Sequence, residues 1–192
     1  MAEPEWQRET EVMSSIALQP DLLAAIRAHA EAGDLGPVEA RSLVCFQTVS
    51  RHLKRAGLLM RLAGAAHKVI TNAVIVTPTR FVWATRLDDE EAFASSELLA
   101  RLDIGDYEKG PGYRLIPDHG IEVHGLNAGQ GHTGTQFFGL GEGPDADHAR
   151  QVVKDAVRAA HGEGPPVVSG TDGSPSEVAG PQDGHETGEA VQ

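Results

Sequence analysis

The sequence predicts one small, mainly β domain over residues 41 to 162, closed by a C-terminal helix. From about residue 42 the apolar pattern changes from a helical period to short extended runs rich in branched and aromatic residues. After the last of these runs, a helical stripe of Val and Ala begins near Pro144. A chain of 192 residues has room for one such core with appendages, and not for two full domains.

The segment before this domain, residues 1 to 40, reads as a helical extension. Between Pro20 and Gly33, the stretch Asp21 to Ala32 predicts a short amphipathic helix. Its apolar stripe consists of Leu22, Leu23, Ile26 and Ala30. We expect this stripe to cover the domain that follows, while residues 1 to 18 predict no element.

Three strands are predicted in the first half of the domain. They are Leu43 to Val49, Val69 to Thr77, and Arg80 to Thr85, each rich in strand-forming residues. The second and third are separated by Thr77-Pro78-Thr79, in which Pro78 favours a tight turn. We therefore expect these two strands to form a hairpin.

The next stretch combines an acidic segment with an alternating one. Residues 88 to 96, with Asp88 to Glu91 among them, read as an exposed connection. Leu98, Ala100, Leu102 and Ile104 then alternate with more polar positions, which predicts a fourth strand with one solvated face.

Three further strands and the closing helix complete the domain. Tyr113 to Ile116 and Ile121 to Leu126 predict short strands around a turn in which Gly120 can supply a positive φ. Thr135 to Leu140 is the seventh strand, after a Gly-rich loop. The helix begins at Pro144 and ends at Gly162, and its stripe should pack on the sheet; the stripe comprises Ala149, Val152, Val153, Ala156, Val157 and Ala160.

The last segment, residues 163 to 192, has the composition of a disordered acidic tail. It holds six acidic residues, no Lys or Arg, and many Gly, Pro and Ser. Such a segment cannot bury enough apolar surface to offset the entropy of ordering it.

Seven short strands followed by one helix resemble the pleckstrin homology (PH) superfold. The stretch Ala73 to Ala84 is similar to the second-to-third-strand hairpin of bacterial PH-like domains, and Leu98 to Tyr107 is similar to their fourth strand. The resemblance implies a seven-stranded antiparallel barrel closed by its C-terminal helix. Because the superfold serves lipid binding, peptide binding and structural roles, it does not select a function.

Composition restricts the partners and the location. A net charge of −12 argues against nucleic acid as the general partner. Cys45 is the single cysteine, so neither an intrachain disulfide nor a zinc site built on thiolate pairs is expected. The acidic start and the lack of a long apolar run predict a cytoplasmic protein without a transmembrane segment.

One charge pattern suggests a function. Residues 40 to 87 contain eight basic and no acidic residues, a local charge of +8 against −20 in the remainder. Five of these bases lie in or beside the connection between strands one and two: Arg51, Lys54, Arg55, Arg61 and Lys68. In the superfold, phosphoinositide-binding members collect basic residues in this loop. Leu58, Leu59 and Met60 lie in the same connection and could enter a membrane interface.

We therefore expect a non-enzymatic binding module whose loop contacts an anionic membrane surface or ligand, with contact at the membrane periphery. Two alternatives remain open. The apolar side chains could pack on the barrel or under the N-terminal helix while the bases pair with the acidic tail. The domain could also be a protein-interaction or scaffold module that binds no lipid.

Other reactive residues predict no catalytic, metal or cofactor site. His119, His124 and His132 cluster near the last strands, but their spacing fits no metal-ligand motif, so a metal-dependent enzyme is the weakest hypothesis. Cys45 lies in an apolar strand and reads as a core residue. Asp103, Asp106 and Glu108 read as solvated carboxylates at a strand end.

Overall fold

The computed structural model describes residues 5–53, 67–114, 117–127 and 132–163. Single-turn 3₁₀ helices occur at Ser15–Ala17, Leu99–Arg101, Tyr107–Lys109 and Pro111–Arg114. The other elements are β1 (Trp6–Val12), α1 (Pro20–Ala32), β2 (Val44–His52), β3 (Val69–Val76), β4 (Arg80–Leu87), β5 (Phe93–Leu98), β6 (Asp103–Asp106), β7 (Gly120–Asn127), β8 (Thr133–Gly139) and α2 (Pro144–Ala160).

The strands form two antiparallel sheets. Five strands pair in the order β1-β2-β3-β4-β5, and three pair in the order β6-β7-β8. A mainly β chain with antiparallel pairing and two helices is therefore confirmed. The seven-stranded closed barrel is wrong, because the described residues contain eight strands and no ladder joins one sheet to the other.

A side chain, and not a strand ladder, fills the space between β1 and β8. A Cβ atom built on Gly139 would lie 2.2 Å from the guanidinium carbon of Arg8. The Arg8 side chain thus passes over Gly139, and the contact between these two strands is made through side chains. Nearby, the Thr10 hydroxyl donates to the Leu140 carbonyl at 2.6 Å.

The outer face of the five-stranded sheet is covered by α1. Leu22, Leu23, Ile26 and Ala30 are all buried, as predicted, against apolar side chains of the sheet. The β3–β4 hairpin is also confirmed, since the Thr77 amide donates to the Arg80 carbonyl at 2.9 Å. Both faces of these strands are covered, which explains their continuous apolar sequence.

The inner face packs against the three-stranded sheet and α2. Its core includes Phe46, Phe81 and Trp83, together with residues of β7 and β8. The α2 stripe is buried here through Ala146, Ala149, Val153, Ala156 and Val157, which confirms the closing helix. The sheet is thus a middle layer, with α1 on one side and the second sheet and α2 on the other.

Several predicted elements in the middle of the chain are wrong. The proposed strand from Leu98 to Ile104 is interrupted by a 3₁₀ turn, because Leu99 and Leu102, three residues apart, both enter the core. In the proposed fifth strand, Tyr113 to Ile116, the first two residues belong to the 3₁₀ turn Pro111–Arg114, and residues 115 and 116 lie outside the described residues. Within residues 88 to 96, expected as a connection, β5 already begins at Phe93. Trp6–Val12, where no element was predicted, forms β1.

Of the helices in the described ranges, none combines the length and the apolar character needed to cross a bilayer. Apart from Glu163, the predicted acidic tail lies outside the described residues.

Candidate functional site

A buried ion pair links the first strand to the segment that precedes β7. Arg8 donates from Nε to Asp118 Oδ1 at 2.8 Å and from Nη2 to Asp118 Oδ2 at 2.5 Å. The two side chains are only 9% and 10% exposed. A bidentate pair of this kind fixes both partners in one orientation, because the planar guanidinium matches the carboxylate.

Aromatic rings and a hydroxyl complete the surroundings of Arg8. Its guanidinium carbon lies 5.3 Å from the ring centres of both Trp6 and Phe137, within cation–π distance. Nη1 donates to the Ser50 hydroxyl at 2.5 Å. The cation is therefore held on several sides by groups from β1, β2 and β8.

His119 follows Asp118 and lies between two carboxylates. Its Nδ1 is 3.2 Å from Glu108 Oε1, and its Nε2 is 2.9 Å from Glu142 Oε1. Arg150 of α2 donates from Nη2 to the same Glu108 oxygen at 2.9 Å. His119 thus connects the 3₁₀ turn before β7 with the connection between β8 and α2.

An open cavity of about 410 Å³ lies beside these groups. Three segments line it: Trp6 and Arg8 of β1, residues 117–119, and Gly141 with Glu142. Its size is within the range of small-molecule sites. The cavity combines an aromatic wall with carboxylate, guanidinium and imidazole groups.

A second group of charges lies between β6 and α2. Asp106 accepts from Lys154 Nζ and also pairs with Lys109 at 2.9 Å. The Lys154 hydrogen bond is the main cause that lowers the pKa of Asp106, although partial burial opposes it. Asp106 and Glu108 are therefore engaged in ion pairs, and the prediction that they are solvated strand-end carboxylates is wrong for both.

The structure describes only two of the predicted basic ligand-binding residues. The β2 end and the β3 start lie together, since Arg51 pairs in register with Val69. We call this end of the sheet the basic end. Arg51 is half-exposed and lies 3.3 Å from Glu9 Oε2, while the Lys68 side chain is exposed. Leu53, two residues after Arg51, is 55% exposed.

An acidic turn borders Lys68 at this end. Asp88 Oδ1 accepts the backbone amides of Lys68 and Val69, each at 2.8 Å. The Val69 amide is the main cause that lowers the pKa of Asp88. Asp89 and Glu90 in the same turn are exposed. The turn therefore holds the backbone of Lys68 beside exposed carboxylates.

The remaining predicted contact residues lie outside the described residues: Lys54, Arg55, Arg61, Leu58, Leu59 and Met60. Two other bases of the basic run do not contribute to the basic end: one is paired with a carboxylate, and the other lies at the opposite end of the sheet. Arg86 pairs with Asp21 at 2.6 Å, and Arg80 begins β4 at the opposite end of the sheet.

The three clustered histidines do not meet. His124 Nδ1 contacts the Thr135 hydroxyl at 2.8 Å, and His132 is exposed before β8. Within the described ranges, no group of three or more His, Cys, Asp or Glu side chains could hold a metal ion. Cys45 is buried in the sheet under α1, as predicted, and burial raises its pKa to about 12.

The sequence reasoning missed the cavity and its central ion pair. Arg8 and Asp118 are 110 positions apart, and neither belongs to a local motif. In the sequence, His119 stands out only as one of three clustered histidines. A weak signal was present in Gly139 and Gly141, whose missing side chains leave room for Arg8. Comparison with protein-family models, curated proteins and solved structures found no match.

Proposed function

We propose that this protein is a non-enzymatic PH-like binding module that contacts an anionic membrane surface through its basic end. The PH-like assignment is supported by the order of the elements. Strands β2 to β5 form four consecutive antiparallel strands, β6 to β8 form three more, and α2 follows. In this view β1 and α1 are additions to the PH-like pattern.

The observation that carries the membrane proposal is the exposure of Arg51, Leu53 and Lys68 at one end of the sheet. A half-exposed base, an exposed leucine and an exposed lysine border the connection that contains Lys54, Arg55 and Arg61. Mixed basic and apolar side chains suit an interface with anionic lipid, where each base contributes about 1 kcal/mol.

The acidic turn beside Lys68 bears on which basic residues attract anionic lipid. Because Asp88, Asp89 and Glu90 border Lys68, we assign most of the attraction to Arg51, whose exposed pair with Glu9 is weak, and to Lys54, Arg55 and Arg61. Since these bases act through screened charge, binding should weaken as salt rises. A catalytic role has little support, because Cys45 is buried with a raised pKa and Asp106 is committed to Lys154.

Co-sedimentation of the full chain with vesicles tests the proposal. We expect binding to anionic vesicles at low salt, weaker binding at physiological salt, and none to neutral vesicles. Replacing Arg51, Lys54, Arg55 and Arg61 by Ala should weaken partitioning by on the order of 1,000-fold, at about 1 kcal/mol per base. Failure of the full chain to bind anionic vesicles at low salt would contradict membrane contact and turn the search to a protein partner.

A further inference from the structure

The cavity between β1, His119 and Glu142 carries an inference that goes beyond membrane contact. Its walls and the groups directly behind them include three carboxylates, Asp118, Glu108 and Glu142. Two guanidinium groups, Arg8 and Arg150, oppose them. Leaving His119 aside, the three acids exceed the two permanent cations by one. The site therefore favours a positive over a negative ligand.

The three carboxylates differ in how strongly they are paired with other side chains. Asp118 is nearly buried and bidentate to Arg8. Glu108 accepts from Arg150 and contacts His119. Glu142 is 77% exposed, and within the described residues its one ion pair is with His119 Nε2. An incoming cation can therefore exchange with the imidazole on Glu142 without breaking a buried pair.

The backbone around Glu142 permits such an exchange. Gly141 and Gly143 flank it, with φ values of +74° and +119° that favour glycine. A Cβ built on Gly143 would meet nothing within 4 Å, so the connection is not crowded on that side. With its side chain 77% exposed, Glu142 has room to turn its carboxylate toward a ligand.

The aromatic wall is suited to the same kind of ligand. Trp6 lines the cavity and already has the Arg8 guanidinium 5.3 Å from its ring centre. An indole ring next to a carboxylate is a common environment for organic cations, which the ring attracts through its quadrupole. Arg8 is a poor partner for an anion, because its guanidinium already donates hydrogen bonds to Asp118 and Ser50.

We propose that this cavity binds an organic cation, an ammonium or a guanidinium group, with Glu142 as its carboxylate partner and Trp6 as its aromatic wall. The volume of about 410 Å³ accommodates one side chain or small amine. The source is either a basic side chain of a partner peptide or a free small molecule, and both present the same group.

The chain has only two tryptophans, which provides a direct readout. The indole N–H signals of Trp6 and of buried Trp83 are followed by NMR during titration of the full chain, at constant ionic strength, with N-acetylarginine amide. We expect a saturable shift of the Trp6 signal and little change at Trp83. The neutral isostere N-acetylcitrulline amide should shift neither signal.

Matched variants assign the binding to the cavity. Glu142→Gln should weaken the affinity for N-acetylarginine amide at least tenfold, whereas Glu90→Gln, the same change in the exposed turn after β4, should leave it unchanged. The absence of a saturable Trp6 shift, equal shifts from the citrulline compound, or unchanged affinity in Glu142→Gln would overturn the proposal. Since neither probe nor readout involves lipid, these results are independent of vesicle binding.

A second titration distinguishes the two sources of the cation. An acetylated pentapeptide with one central arginine between glycines presents the same guanidinium within a backbone. Affinity at least tenfold above that of N-acetylarginine amide would support a partner peptide as the source. Equal affinities would support a free small cation.

Discussion

Arg8 and Asp118 form a bidentate ion pair that joins the edge strand β1 of the five-stranded sheet to the segment preceding β7 of the second sheet. The pair connects residues 110 positions apart, and both side chains are about nine-tenths buried. Since no strand ladder joins the sheets among the described residues, this contact and the neighbouring Thr10 to Leu140 hydrogen bond carry the connection there. The cavity depends on it, because Arg8 and Asp118 are two of its walls.

We predict that Arg8→Met destabilises the protein by about 3 to 5 kcal/mol, because Asp118 would remain buried without its cation. The free energy of unfolding in urea, followed by far-UV circular dichroism, measures the loss. Arg51→Met removes an exposed pair with Glu9 and should cost at most about 1 kcal/mol. Equal, small losses in both variants would mean that the buried pair contributes no more than a surface one.

Gly120 is required by close packing and not, as the sequence suggested, by a positive φ. It begins β7 without a positive φ, and a Cβ there would lie 2.2 Å from the Phe138 carbonyl oxygen. Gly120→Ala should therefore destabilise the protein by about 2 to 3 kcal/mol in the same urea assay. Gly105→Ala in β6 meets its nearest atom at 3.5 Å and should have a much smaller effect. A mild Gly120→Ala variant would show that β7 and β8 can separate easily.

Lys154→Met should destabilise the protein in a pH-dependent way. Lys154 lowers the pKa of Asp106, so this pair contributes stability above the unfolded pKa of aspartate, about 3.9, and loses it as the pH falls through the lower folded value. At pH 7 we expect a loss of about 1 to 3 kcal/mol relative to the natural chain.

Urea unfolding at pH 7 and at pH 3 checks this sign. The difference between the natural chain and Lys154→Met should shrink at pH 3. Arg158→Met, which removes an exposed pair with Asp155, should change little at either pH. A difference that is constant with pH would indicate that Lys154 acts through packing of its alkyl chain and not through Asp106.

The Cys45 thiol should be unreactive in the folded protein. It is buried under α1, and burial raises its pKa to about 12, so little thiolate forms at pH 8. Labelling with iodoacetamide at pH 8 should be at least about 100-fold slower in the folded chain than in urea, where the pKa returns to about 8.5. Comparable rates would show that α1 leaves the sheet readily.

The elements that the sequence predicted well have an apolar pattern that matches the surfaces against which they pack. In α2, Ala149, Val153 and Val157 recur at helical spacing and are buried against the inner core. The β3–β4 hairpin is apolar on both faces because α1 covers one and the second sheet covers the other. For these segments, local pattern and tertiary environment agree.

The elements that were missed have inward positions occupied by polar side chains. In β1, Arg8 and Thr10 point toward Ser50 and Thr48, so the strand shows no apolar alternation. In β5, Glu97 is buried on the edge strand, again without an apolar signal. Hydrophobic periodicity fails where the interior is polar, and in β1 the polar interior adjoins the candidate site.

The same reason explains what could be predicted of function. The basic run between Arg41 and Arg86 is visible in the sequence because its members are close together. The cavity is not visible, because Trp6, His119 and Glu142 come from distant segments that only the fold brings together.

The vesicle comparison between two variants of equal charge tests the membrane proposal most directly. The loop variant replaces Arg51, Lys54, Arg55 and Arg61 by Ala. The control variant also removes four bases, each more than half-exposed elsewhere on the surface: Arg27, Arg101, Lys109 and Arg158. On anionic vesicles we predict that the control sediments like the natural chain and that the loop variant stays in solution. Equal binding by the two variants, or none by the natural chain, would contradict a membrane-binding basic end.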